Sequence, residues 1–259
     1  MDTVREAPRL LGALFEDGGA AWFAEAGLPP SWAAVLGPVP VDVLRVPPGA
    51  DAGVRQLAAL RDLWSARGPL QAAVAATAVL VRIRSEALGK DHPDTLLEQA
   101  ALGTLLQRTG SPREGAALLD RAWAQLRSVA GGRDLRVAVV AQNVASARLR
   151  EGNLDEAEHA LEIAYRIRSE RAPDTTALVA AQLGELRHAR GRSSEALALL
   201  REAADRTAAR EGASSLRALA RRQMLGTVLV ELERYGEAAK ILRPLVVALP
   251  AEAPAEMRA

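Results

Sequence analysis

Residues 151–165 read EGNLDEAEHALEIAY, and the chain returns to this pattern twice, as RGRSSEALALLREAA at 190–204 and LERYGEAAKILRPLV at 232–246. Each copy places a Glu-Ala step at one register: Glu156-Ala157, Glu195-Ala196 and Glu237-Ala238. Five residues before each alanine stand Gly152, Gly191 and Glu233, and Gly110 and Gly68 extend the series backwards. The anchors at 68, 110, 152, 191 and 233 are separated by 42, 42, 39 and 42 residues. A fixed period of this size is the mark of stacked supersecondary units, each burying its apolar face against its neighbours.

The rest of the chain agrees with that register. Eight residues before each anchor an apolar residue is followed by a small one: Leu102-Gly103, Val144-Ala145, Leu183-Gly184 and Leu225-Gly226. Small residues there allow two helices to approach closely, and only Leu60-Arg61 breaks the rule. After the anchors, Ala157, Leu161 and Ala164, or Ala196, Leu200 and Ala203, recur at helical spacing. Aromatics are 3% of the 259 residues, so the residue types that sheets favour are scarce. These features predict an all-α chain of about five helix pairs over residues 51–249.

The Leu-Gly pair, the inter-helix glycine and the following Glu-Ala resemble the tetratricopeptide repeat, over roughly residues 52–249. The longer unit, and ALGKDHPDT at 87–95 with its degraded copy RSERAPDTT at 168–176, resemble the kinesin-light-chain-like subclass. The resemblance implies a right-handed superhelical solenoid whose first helices line a concave groove. Positions ten, nine, six and two residues before each anchor are then its expected lining. They include Thr104 and Arg108; Gln142, Asn143, Ser146 and Arg150; Gln182 and Glu185, with His188 nearby; and Gln223 and Thr227. Ala100 and Ala181 fall in the same register. Gln142-Asn143 sits where repeats of this subclass commonly carry Asn-Asn, which implies that Asn143 bonds the backbone of an extended peptide. An amide side chain both donates and accepts, and Arg108 and Arg150 each offer a fork for a carboxylate.

Helix punctuation accounts for further polar residues. Ser111 with Glu114, and Thr95 with Glu98, match the capping box, Asn153 with Glu156 is a weaker version, and Asp134 and Asp174 are expected caps. Residues 1–50 do not follow the repeat and hold four of the eight aromatics. They are expected to form a helical cap with a proline-rich linker, or a docking segment presenting Trp22, Phe23 and Trp32. At the other end Pro244 is expected to kink or interrupt the last helix, leaving Ile241, Leu242, Leu245 and Val246 as an apolar edge open to self-association. The tail 250–259 is expected to be mobile.

Little of the sequence suggests catalysis. The three histidines, His92, His159 and His188, form no HExxH or other zinc-binding spacing, and there is no cysteine. Asp91, His92 and Asp94 form a polar cluster, which the linker reading absorbs; an enzyme acting through them or through residues 1–50 is the third-ranked reading. No phosphate-cradling or nucleophile-elbow motif occurs, so neither a metal nor a cofactor is expected. A formal net charge of +1 without a basic stripe argues against nucleic acid, and the most apolar window, 72–81, is half a membrane span. The expected function is a cytoplasmic, non-enzymatic adaptor binding a protein segment or peptide. The alternative is a sensor whose groove takes a small molecule or short signalling peptide.

Overall fold

The computed structural model describes residues 50–67 and 70–248. The proposed cap with Trp22, Phe23 and Trp32, the anchor Gly68 and the tail 250–259 lie outside them. Among the described residues every regular element is helical: α1 (Ala50–Arg67), α2 (Leu70–Leu88), α3 (Pro93–Arg108), α4 (Pro112–Val129), α5 (Leu135–Glu151), α6 (Leu154–Arg171), α7 (Ala177–Ala189), α8 (Ser193–Glu211), α9 (Leu216–Glu231) and α10 (Tyr235–Ala248). Helices α1 and α2, α3 and α4, α7 and α8, and α9 and α10 pack as pairs. Contacts divide the chain into two compact units, Met1–Ala147 and Arg148–Ala259.

The anchors are the turns between paired helices. Gly110, Gly152 and Gly191 have φ of 100°, 78° and 74°, and Glu233 has φ of 57°. The residue after each donates its N–H five residues back: Ser111 to Leu106, Asn153 to Arg148, Arg192 to Arg187 and Arg234 to Leu229. That is the Schellman closure, whose left-handed residue favours glycine because a Cβ crowds the neighbouring carbonyl. The sequence period is therefore the period of one backbone conformation.

The small residues mark close helix approach. A Cβ on Gly103 would lie 2.7 Å from the Gly115 carbonyl oxygen and 2.9 Å from the Leu119 nitrogen. On Gly184 it would meet Leu200, and on Gly226 Leu242. Leu119, Leu200 and Leu242 each stand nine residues after an anchor, so one contact recurs in three pairs. In the first pair the sizes are exchanged, with Arg61 at the small place and buried Thr77 nine residues after the anchor.

In the first unit, the core joins Leu57, Val74, Val79, Leu80 and Ile83 to Leu102, Leu105, Leu106 and Leu118. In the second, Ala196, Leu200, Leu225, Val228 and Leu229 form a corresponding core, with Ile241 and Leu242 packed on it.

Several expectations are corrected. The linker box is not a box: α3 begins at Pro93, and its cap is His92, whose Nδ1 accepts from the Asp94 N–H at 3.2 Å. Thr95 is fully buried and its hydroxyl donates to the Gly89 carbonyl at 2.8 Å, while Glu98 turns inward to arginines. Thr176, at the same register in the degraded linker, is also buried and donates to the Pro173 carbonyl at 2.9 Å. Ser111 occupies a cap position without a side-chain cap bond. Asp174 lies in a short 3-10 turn, and Thr176 precedes α7 instead. Asn153 and Asp134 do cap, accepting from Glu156 and Arg136 N–H. Pro244 does not interrupt α10, which runs through it. Leu242 is half-buried and packs against the second core beside Gly226.

Candidate functional site

In the first unit three first-of-pair helices, α1, α3 and α5, converge on a cleft of about 260 Å³. From α3 come Leu97, Glu98, Ala101, Thr104, Leu105 and Arg108; α5 adds Val139 and Asn143, and α1 adds Arg61, Asp62 and Ser65. The structure thus places Thr104, Arg108 and Asn143 in one cleft. Of the positions ten residues before the anchors, Ala100 and Ala181 are wholly buried, whereas Gln142 is half-buried and Gln223 is exposed.

Each polar group in the cleft has a distinct state. Thr104 donates to the Ala100 carbonyl at 3.0 Å, so its donor is spent on its own helix. Ser146 to Gln142 at 2.9 Å and Thr227 to Gln223 at 3.2 Å repeat this back-bond at the equivalent positions. Arg108 gives one Nη2 bond to the Ser65 carbonyl at 3.0 Å. Asn143 is half-buried, and its amide bonds to nothing among the described residues. It is the unspent donor-acceptor of the cleft.

Glu98 forms the floor at 3% exposure, bonded by Arg61 Nη1 and with Arg84 Nε 3.2 Å away. Burial raises its pKa above the usual glutamate range, outweighing both guanidinium groups. Arg61 also holds Asp62 at 2.9 Å, fixing the α1 wall. Leu97 and Val139 make the opposite side apolar, Val139 being 37% exposed. Arg61, Asp62, Ser65, Leu97 and Val139 were missed by counting back from the anchors. The departure of Leu60-Arg61 from the small-residue rule was the available signal for the α1 wall.

In the second unit the expected lining is spent differently. Glu185 on α7 is paired with Arg221 on α9. His188 Nδ1 lies 3.0 Å from the Ser193 hydroxyl and 3.4 Å from Glu231. Gln182 is half-buried, and Arg150, Gln223 and Thr227 are exposed. Glu158 on α6 is buried beneath Arg187 at 3.0 Å, Arg190 at 2.8 Å and Arg192. Burial alone would raise its pKa, but the hydrogen bonds from Arg192 and Arg187 carry it below the ordinary value.

No cluster of three or more metal-ligating carboxylates or histidines exists among the described residues. Asp94 of the linker is held by Arg136 at 2.7 Å, and His92 is spent as a cap. No helix among the described residues is long and apolar enough to cross a membrane.

No family model and no curated protein matches the chain. Solved structures do. A putative kinesin light chain with nearly identical TPR-like repeats, from Podosopora anserina, is 21% identical, with 75% of this chain and 94% of that chain covered at a TM-score of 0.59. BtubC (BKLC) from P. vanneervenii is 16% identical, covering 95% of this chain and 90% of that one, at 0.61. MamA from Desulfovibrio magneticus RS-1 is 14% identical, covering 78% and 97%, at 0.51. The helix pairs therefore have the tetratricopeptide-type fold, as the repeat register implied, and share it with kinesin-light-chain-like repeats.

Proposed function

We propose that the chain is a non-enzymatic interaction module whose α1/α3/α5 cleft binds an extended segment of a protein partner. The observation that carries this is Asn143: a half-buried amide with no partner among the described residues, between the Arg108 guanidinium and the apolar side of Leu97 and Val139. A peptide unit satisfies the amide's donor and acceptor together, and an apolar side chain covers Leu97 and Val139. Arg108 receives a carbonyl or carboxylate of the same segment. The cleft volume favours one or two side chains of a longer chain, since sites for whole small molecules occupy roughly 300–1,000 Å³ and this one is about 260 Å³. The sensor reading is the weaker for that reason.

Affinity purification from the native cell, comparing wild type with Asn143→Ala and Val139→Glu, tests the reading. Partners that both folded variants lose, and that a peptide of the partner displaces, are the expected result. Equal recovery on all three proteins removes the cleft from the interaction. A metabolite that raises the wild-type melting temperature but not that of Asn143→Ala would favour the sensor instead.

A further inference from the structure

Two residues of the α1/α3/α5 cleft depart from the repeat, and they meet. Seven positions before the anchor the later first-of-pair helices have a small residue, Gly103, Ala145, Gly184 or Gly226, whereas α1 has Arg61. Twelve positions before the anchor α5 and α7 bury Val140 and Val179 completely, whereas α3 has Glu98. Arg61 Nη1 donates to Glu98 and so joins α1 to α3. Packing does not ask for either change. Burying a carboxylate commonly costs at least what such an ion pair returns, and an apolar residue fills the place well. Desolvation outweighs Arg61 and Arg84 at Glu98, which is why its pKa lies above the usual range. The pair therefore adds little stability over a valine, and its effect falls on the cleft, which both side chains line.

That effect is on charge. The lining holds two guanidinium groups, Arg61 and Arg108, and two carboxylates, Asp62 and Glu98. Arg61 is bonded to both carboxylates, with Nη1 on Glu98 and Nε on Asp62 at 2.9 Å. Arg84, outside the lining, is shared between Glu98 at 3.2 Å and Asp94 at 3.8 Å, and Asp94 also holds Arg136 at 2.7 Å. A ligand carboxylate brought to Arg61 would stand beside Asp62 and Glu98, and like charges so placed select against a partner. A neutral acceptor meets no such repulsion. A guanidinium with five N–H groups has donors left for it after two are engaged.

We propose that Asp62 and Glu98 set the specificity of the cleft: they balance Arg61, so the bound segment is uncharged where it meets α1 and offers Arg61 a main-chain carbonyl. The partner is then an extended, uncharged stretch of protein with an apolar side chain over Leu97 and Val139. This specificity rests on the cleft binding an extended segment, and it adds the chemistry of that segment.

Parallel selections from one random displayed peptide library, on the full wild-type chain and on the chain with Asp62→Asn and Glu98→Gln, test the proposal. The wild-type pool is expected to hold no more Asp and Glu than the unselected library. The variant pool is expected to be enriched in both. A selected acidic peptide should bind the variant about fivefold more tightly than the same peptide with glutamine for glutamate, and high salt should erase that preference. Asp62→Asn alone, at a side chain 70% exposed, should shift the pool in the same direction, and it decides the matter if Glu98→Gln disturbs folding. Equal Asp and Glu content in the wild-type and variant pools would overturn the proposal, as would a wild-type pool that is already acidic. Peptides whose binding survives Val139→Glu would overturn the cleft as a binding site, and this specificity with it.

Discussion

Glu233 holds a left-handed backbone, with φ of 57°, at the one described anchor that lacks glycine. That conformation costs a side-chain-bearing residue about 1–2 kcal/mol, and glycine's extra unfolded entropy returns about 0.5–1 of it. Glu233→Gly is therefore expected to stabilise the protein by about 0.5–1 kcal/mol in denaturant unfolding; no change, or a loss, would contradict the reading of the anchors. Gly103→Ala tests the opposite case. Alanine gains about 1 kcal/mol in helix propensity, but its Cβ meets backbone atoms of Gly115 and Leu119, which cannot rotate away. Overpacking of this kind costs about 1–3 kcal/mol or more, so a net loss of about 1–2 is expected. The anchors and the small residues were legible in sequence because each is fixed by local sterics that leave one acceptable residue type. The caps were less so. Thr95 and Glu98 have the spacing of a box, yet one ties the linker and the other pairs with Arg61, because tertiary partners outcompete a local bond.

At the scale of elements, two buried carboxylates fasten helices with opposite pH signatures. Glu98 of α3 has a raised pKa, so in the fold its charged form is penalised at neutral pH; acidification through that pKa towards the ordinary value of about 4.3 adds stability. Glu158 of α6 has a lowered pKa, so its contribution is present above about 4.3 and is lost as pH falls through the folded value. Hydrogen exchange resolved by helix is expected to show the two trends separately. Glu98→Gln should remove the gain on acidification around α3, and Glu158→Gln should remove the acid loss around α6 and α7. Identical pH profiles for wild type and both variants would refute the assignment. At neutral pH Glu158→Gln should cost about 1–3 kcal/mol, because three arginines lose a shared charged acceptor. None of this was legible in sequence, where these glutamates look like the solvated acids around them. Only the fold shows that residues about thirty positions apart converge.

For the whole molecule, the repeat read from the sequence implied an all-α chain of helix pairs, and four of its five anchors fall on described turns between helices, a fold shared with the solved structures. The groove was legible in part. Asn143, Arg108 and Thr104 do meet, but Ala100 and Ala181 face the core, and the second unit spends Glu185 and His188 on neighbouring side chains. A position count locates a helix face; whether its side chains are free depends on partners from other helices. The central claim is that the cleft of the first unit takes an extended peptide through Asn143. The most direct test is calorimetric titration with peptides selected from a random displayed library on the wild-type chain. Loss of the bonds to Asn143 in Asn143→Ala should weaken binding by about 1–2 kcal/mol, roughly tenfold. Val139→Glu should abolish it, and Thr227→Ala in the second unit should leave it unchanged. Selected peptides that bind Asn143→Ala and Val139→Glu as tightly as wild type would contradict the account.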